Sequence, residues 1–132
     1  MKRMIPTWAR EVRLAGMKIF NHEAMKIAIT STGDTLEARL DQRFGRCKYF
    51  VIYDTESKSQ EFVPNPNVNA EEGAGPSSVE LVASRQVKKI VSSEFGAKIK
   101  SLLDSLKIQM VVLKDPDIKI RDIIEMLNHK KE

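Results

Sequence analysis

The sequence predicts an α/β domain over residues 25–127: a mixed sheet in which an antiparallel hairpin is followed by alternating helices and parallel strands. Two observations predict it. The first half carries three short runs rich in β-branched and aromatic residues, two of them separated only by the turn Asp54-Thr55-Glu56-Ser57-Lys58. In the second half the apolar period changes, and helical spacing alternates with short continuous apolar runs.

The first strand is Lys26-Ile27-Ala28-Ile29-Thr30, ended by Ser31-Thr32-Gly33-Asp34. A long polar loop with room for one helical turn runs to Arg46. Tyr49-Phe50-Val51-Ile52-Tyr53 is apolar on both faces and reads as a buried strand. The third strand, over residues 60–63, is closed by Pro64-Asn65-Pro66-Asn67. Past a glycine-rich loop, Pro76 sits where a first helical residue belongs, and Val79, Val82, Ala83 and Gln86 share a helical face. Residues 87–91 form a strand. Ile99, Leu102, Leu103 and Leu106 follow the i, i+3, i+4, i+7 spacing of a helix. Residues 108–113 make the last strand, and Asp115-Pro116-Asp117 starts a final helix bearing Ile120, Ile123, Ile124 and Leu127. Helix–strand alternation requires parallel strands with right-handed crossovers, while the hairpin supplies an antiparallel flank.

Residues 25–132 are read as one domain, and residues 1–24 as an extension of different character. Trp8, Val12 and Ala15 fall on one face of a short helix ended by Gly16. The extension is either an accessory docking arm or a segment preceding a later start, since Met17-Lys18 and Met25-Lys26 both resemble starts. The chain's 132 residues suit a single core. One cysteine rules out an intrachain disulfide framework and, without a secretory pattern, points to the cytoplasm. No apolar run reaches the roughly 20 residues of a membrane span. The net charge of +4 is uneven: +3 lies in residues 1–24, and the rest has 17 basic against 16 acidic side chains. So even a balance does not suit a phosphate-tracking surface, and nucleic acid is not expected as a ligand.

In open α/β sheets, ligands gather at the carboxyl ends of the parallel strands. Those ends are residues 31–34, 92–96 and 114–117, which nominates Ser31. The loop Gly73-Ala74-Gly75 opens a helix and offers Gly73 and Gly75 amides to the same crevice, with an anion at the helix N-terminus. Arg39, Arg43, Arg46 and Lys48 are opposed locally only by Asp41. Such cations favour a thiolate at Cys47, which makes it a candidate ligand for a soft metal or a nucleophile. Against this stands the reading of Cys47 as a small buried hydrophobe at a strand start. Gly73-x-Gly75-x-x-Ser78 with Glu94 is a poor dinucleotide fingerprint, since a strand does not lead into it. No phosphate-loop motif occurs, and the two histidines, His22 and His129, lie outside the predicted crevice. Tyr53 stands where a cysteine phosphatase loop would need arginine, and Ala28 and Ile29 where a metal-dependent nuclease would need carboxylates. The absence of a catalytic constellation favours binding over catalysis.

The stretches Met25-Lys26-Ile27-Ala28-Ile29, Arg43-Phe44-Gly45-Arg46-Cys47-x-Tyr49-Phe50, Asn65-Pro66-Asn67 and Gly73-Ala74-Gly75, with Gly96, resemble the dinitrogenase iron–molybdenum cofactor biosynthesis family. The resemblance implies a ribonuclease H-like fold and a small stand-alone member that binds or carries an iron–sulfur or molybdenum-containing cluster. It marks Arg43, Phe44, Gly45, Arg46 and Cys47 as the distinctive loop, with Phe44 packing on the core and Gly45 permitting the turn. Arg43 stands where nitrogenase-linked relatives often have histidine, and the glycine loop lacks the histidine of some relatives. Cys47 alone would leave a protein-anchored cluster underligated. The expectation is therefore a carrier of a preassembled cluster or cofactor precursor, not an enzyme. In it Cys47 serves as the metal ligand, Arg43 and Arg46 offset anionic charge, and cluster-assembly proteins act as partners. The alternative is a regulatory module for a small anion or protein, with no metal. An enzyme using Cys47 as nucleophile ranks third.

Overall fold

Alternation in the strands sets up two cores, one on each face of a single sheet. In β1 (Lys26–Ser31), Ile27 and Ile29 pack into one cluster and Ala28 into the other; in β2 (Tyr49–Asp54), Val51 is parted in the same way from Phe50 and Ile52. Side chains of a strand point alternately to opposite faces, so strands apolar throughout are covered twice. The computed structural model describes residues 25–129. The extension over residues 1–24, with its expected helix and His22, lies outside the described residues.

Five strands are ordered β3-β2-β1-β4-β5. β2 pairs antiparallel with β1 and with β3 (Ser59–Pro64), whereas β4 (Val87–Ser92) pairs parallel with β1 and with β5 (Gln109–Val112). The expected mixed sheet is present, with the hairpin on one flank. One face is covered by α1 (Ala74–Ser84) and α2 (Ala97–Ser105), through Val79, Val82, Ile99 and Leu103. The other is covered by α3 (Ile120–His129), through Ile120 and Ile123.

Element boundaries depart from expectation where the chain's own turns intervene. Pro76 is the third residue of α1 rather than the first; its missing N–H is harmless anywhere in the first turn, where amides have no helical acceptor. Gln86 lies beyond the helix, at a left-handed φ of 63°, where it ends α1. Residues 115–117 do not start the last helix. Asp115 Oδ1 accepts from the Asp117 N–H at 3.1 Å in a side-chain turn, and helix starts only at Ile120. The backbone between is bonded to the long loop after β1. Leu40 N–H donates to Ile118 O at 3.0 Å, Ile120 N–H to Ala38 O at 2.9 Å, and Arg121 N–H to Leu36 O at 3.0 Å.

Candidate functional site

The loop after β1 crosses the carboxyl ends of the parallel strands and is tied there by buried hydroxyls. Thr30 Oγ1 donates to Asp41 O at 2.9 Å and lies 3.1 Å from Ser92 Oγ at the end of β4. The Asp41 carboxylate accepts from the Arg43 N–H at 3.1 Å, and the Arg43 backbone forms a parallel bridge with Glu94. Phe44 packs beneath the loop as expected, its ring centroid 5.5 Å from Phe50 and 5.8 Å from Phe95. Burying such a ring contributes roughly 1.5–3 kcal/mol, enough to hold a loop on its base.

Two glycines then let this loop meet the start of α1. A Cβ on Gly45 would lie 3.1 Å from both Cα and N of Gly75, and one on Gly75 would lie 2.6 Å from Ile99 Cδ1. Gly73, at φ 78°, takes the left-handed turn that leads into the helix. Behind the loop, Asn65 Nδ2 donates to Gly45 O at 3.1 Å and Cys47 O at 2.9 Å, and Ser78 Oγ donates to Gly45 O at 3.0 Å.

The result is a cavity of about 380 Å³ lined by residues 43–46, Gly73, Ala74, Gly75, Glu94, Gly96 and Ile99. Neither α1 nor α2 has a side-chain cap at its N-terminus or an acidic residue in its first turn. The N-cap of each, Gly73 and Gly96, lines the cavity. Each helix end carries about +0.5 of partial charge, and among the lining residues Arg43 and Arg46 outweigh Glu94; Asp41, 3.9 Å from Arg43 Nε, offsets part of this and leaves the site net positive. Its volume falls within the range of small-ligand sites. A second cavity, of about 400 Å³, is lined by Met25, Lys26, Asp54, Gln86 and Lys88 at the opposite end of β1 and β4. It holds two lysines and a carboxylate but neither arginine nor helix N-terminus.

Of the residues nominated from sequence, the structure brings Arg43, Arg46, Gly73 and Gly75 together in one cavity. Ser31 and Cys47 are not among its lining. Ser31 is fully buried, its hydroxyl donating to Gly33 O at 2.7 Å. Cys47 is also fully buried, in the core with Phe44 and Phe50, and its thiol faces Phe44 O at 3.4 Å. The expectation that neighbouring cations favour a thiolate is corrected here. Burial pushes the thiol well up, the Asp41 carboxylate adds to this, and the Ser31 amide and Asn65 oppose it only in part. Arg46 and Lys48 adjoin Cys47 in sequence but do not outweigh that desolvation. Glu94, Gly96, Ile99, Asn65 and Ser78 were not nominated as site residues, although Asn65 and Gly96 belong to the motifs that carry the family resemblance, and Ser78 and Glu94 to the poor dinucleotide fingerprint. Among the described residues, no three His, Cys, Asp or Glu side chains are grouped to hold a metal ion.

An open mixed sheet with a basic cleft at the carboxyl ends of its parallel strands defines a small α/β domain. The chain matches the family described as dinitrogenase iron-molybdenum cofactor over residues 25–130, and it belongs to that family. It is 32% identical over 96 residues to the uncharacterised protein MJ0580 of Methanocaldococcus jannaschii, covering 70% of this chain and 78% of that one. The fold is similar to that of the apo orange protein from Desulfovibrio gigas, with a TM-score of 0.72 and 24% identity over 78% of this chain and 86% of that one. A putative NifB protein from Thermotoga is also similar, with a TM-score of 0.67 and 29% identity over the same shares. No helix among the described residues is long and apolar enough to cross a membrane.

Proposed function

We propose that this protein binds and carries a compact polyanion, a preassembled metal–sulfur cluster or iron–molybdenum cofactor precursor, in the cavity between Arg43, Arg46 and the starts of α1 and α2. The observation that carries the reading is the meeting of two uncapped helix N-termini with two arginines on one cavity. Backbone amides and guanidinium groups hold anions by charge-assisted hydrogen bonds and need no coordinating side chain. The donor set fits a cargo that arrives with its own sulfido or oxo ligands, and it does not fit a cluster anchored by protein thiolates. Family membership supports the choice of cargo. The reading makes the protein a carrier rather than an enzyme, exchanging cargo with cluster-assembly proteins in the cytoplasm, without nucleic acid. It also takes the sheet as ribonuclease H-like, in keeping with the antiparallel β1–β2–β3 flank beside parallel β4 and β5.

The burial of Cys47 favours a second reading, in which the same cavity takes a small oxyanion and regulates a partner without metal. Anaerobic incubation with iron, sulfide and either molybdate or tetrathiomolybdate, followed by repurification, metal analysis and visible absorption, separates the two. Retained metal and colour that are lost in the Arg43→Ala, Arg46→Ala double variant support the carrier. Molybdate binding without retained cluster supports the second reading, and no retention of any anion overturns both.

A further inference from the structure

Asn65 and Ser78 converge on one carbonyl. Both are buried, at 5% and 0% exposure, and neither lines the cavity, yet both donate to Gly45 O. Serines in helices ordinarily return the hydroxyl to a carbonyl three or four residues back. Ser84 and Ser105 do so, donating to Leu81 O and Leu102 O at 2.7 Å. Ser78 instead reaches a loop 33 residues earlier, and Asn67 Nδ2 lies 3.4 Å from its oxygen. Asn65 is itself held, its Oδ1 accepting from the Asn67 N–H at 3.0 Å.

Two donors on one carbonyl fix the orientation of the whole Gly45–Arg46 peptide unit. In a planar trans peptide the N–H points opposite to the C=O. The Gly45 carbonyl is directed at Asn65 and Ser78, which lie outside the cavity's lining, so the Arg46 N–H is directed to the opposite side of a peptide whose two residues line the cavity. Among the described residues the Arg46 N–H has no acceptor.

We infer that the Arg46 backbone amide is a further anion donor of the cavity, and that Asn65 and Ser78 are positioning residues that aim it. The ligand class rests on the function proposed above; the contact and its two supports are additional. The group it takes is a terminal oxo or sulfido atom of a compact polyanion, shared with the amides of Ala74 and Gly75. Arg46 thus contributes twice, by its guanidinium charge and by its main chain.

The test is a 1H–15N titration of the full chain with molybdate and with tetrathiomolybdate. The expected result is a downfield shift of the Arg46 amide proton that saturates together with that of Gly75. Ser78→Ala leaves Asn65 alone on the carbonyl and should weaken binding roughly five- to tenfold and shrink the Arg46 shift. Its dependence on ionic strength should match the wild type, because no charge is removed. A merely structural role would lower the melting temperature without shrinking that shift. Movement of Gly75 without Arg46 overturns the inference and leaves the binding function standing, as does wild-type affinity in Ser78→Ala. If neither amide moves with either anion, the proposed function falls and the inference falls with it. The wild-type titration decides the matter alone should Ser78→Ala not fold.

Discussion

Cys47 shows how a side chain's surroundings differ from its neighbours in sequence. Arg46 and Lys48 suggested a reactive thiolate, but adjacent residues of an extended loop project to different sides, and the thiol enters the core. Native protein should therefore react with a disulfide reagent at pH 8 far more slowly than the urea-unfolded chain, in which the thiol is ordinary. The same burial has a pH consequence. The unfolded thiol ionises near about pH 8.5 and the folded one only at higher pH, so the folded state retains a proton that the unfolded state has released. Its contribution is complete below that pH, and stability falls as pH rises above it, by up to about 1.4 kcal/mol per unit. Denaturant titrations from pH 8 to 10.5 should record this fall in the wild type and not in Cys47→Ala. The two arginines divide differently. The Arg43 side chain is 60% exposed, whereas Arg46 Nη1 donates to the carbonyls of Val68 and Ala70. Arg43→Ala should flatten the salt dependence of polyanion binding while leaving Tm within about 2 °C. Arg46→Ala should reduce both binding and Tm. Equal Tm losses in the two variants would contradict this division.

At the scale of elements, periodicity made most of the fold legible, because both faces of β1 and β2 and the Ile99–Leu103 stripe of α2 follow their apolar spacing. What it missed were departures produced by long-range backbone bonds, such as the late start of α3, since no local pattern encodes a partner 80 residues away. Of the site, the arginines and glycines are legible from chemistry and Asn65 from its motif, whereas the acceptor that Asn65 and Ser78 share is visible only in three dimensions. The end of α2 offers a stability test. Lys107 takes φ 59° after the helix, with Lys107 N–H bonded to Asp104 O at 3.0 Å and Ile108 N–H to Leu103 O at 2.9 Å. This C-terminal turn favours glycine, so Lys107→Gly should stabilise the protein by about 0.5–1 kcal/mol in urea unfolding. The loop contact offers another. An alanine Cβ at position 45 meets the backbone of Gly75, while one at position 75 meets the movable end of Ile99. Gly45→Ala should cost about 1–3 kcal/mol, and Ile99→Val should relieve part of the cost of Gly75→Ala but none of that of Gly45→Ala.

For the whole molecule, the described residues form a sheet covered on both faces, with Ile27, Ile29, Phe50 and Val51 at its centre. A chain beginning at Met25 should therefore melt within about 5 °C of the full-length protein, a difference that corresponds to about 1 kcal/mol. A larger loss in differential scanning calorimetry would assign residues 1–24 to the core. The bonds joining Leu36, Ala38 and Leu40 to residues 118–121, reinforced by the Glu37–Arg121 and Glu37–Lys119 ion pairs, tie the loop ahead of Arg43 to the beginning of α3. On the ribosome, that loop is made early and must wait for nearly the whole domain to be synthesised before its anchor exists. Pairing across so long a stretch of chain is slow to form and leaves exposed surface in the interval. The cavity end of the protein thus gains its last tie late in synthesis, and a nascent chain arrested before Ile118 emerges would carry both arginines on a loop held by β1 and β4 but lacking its tie to α3.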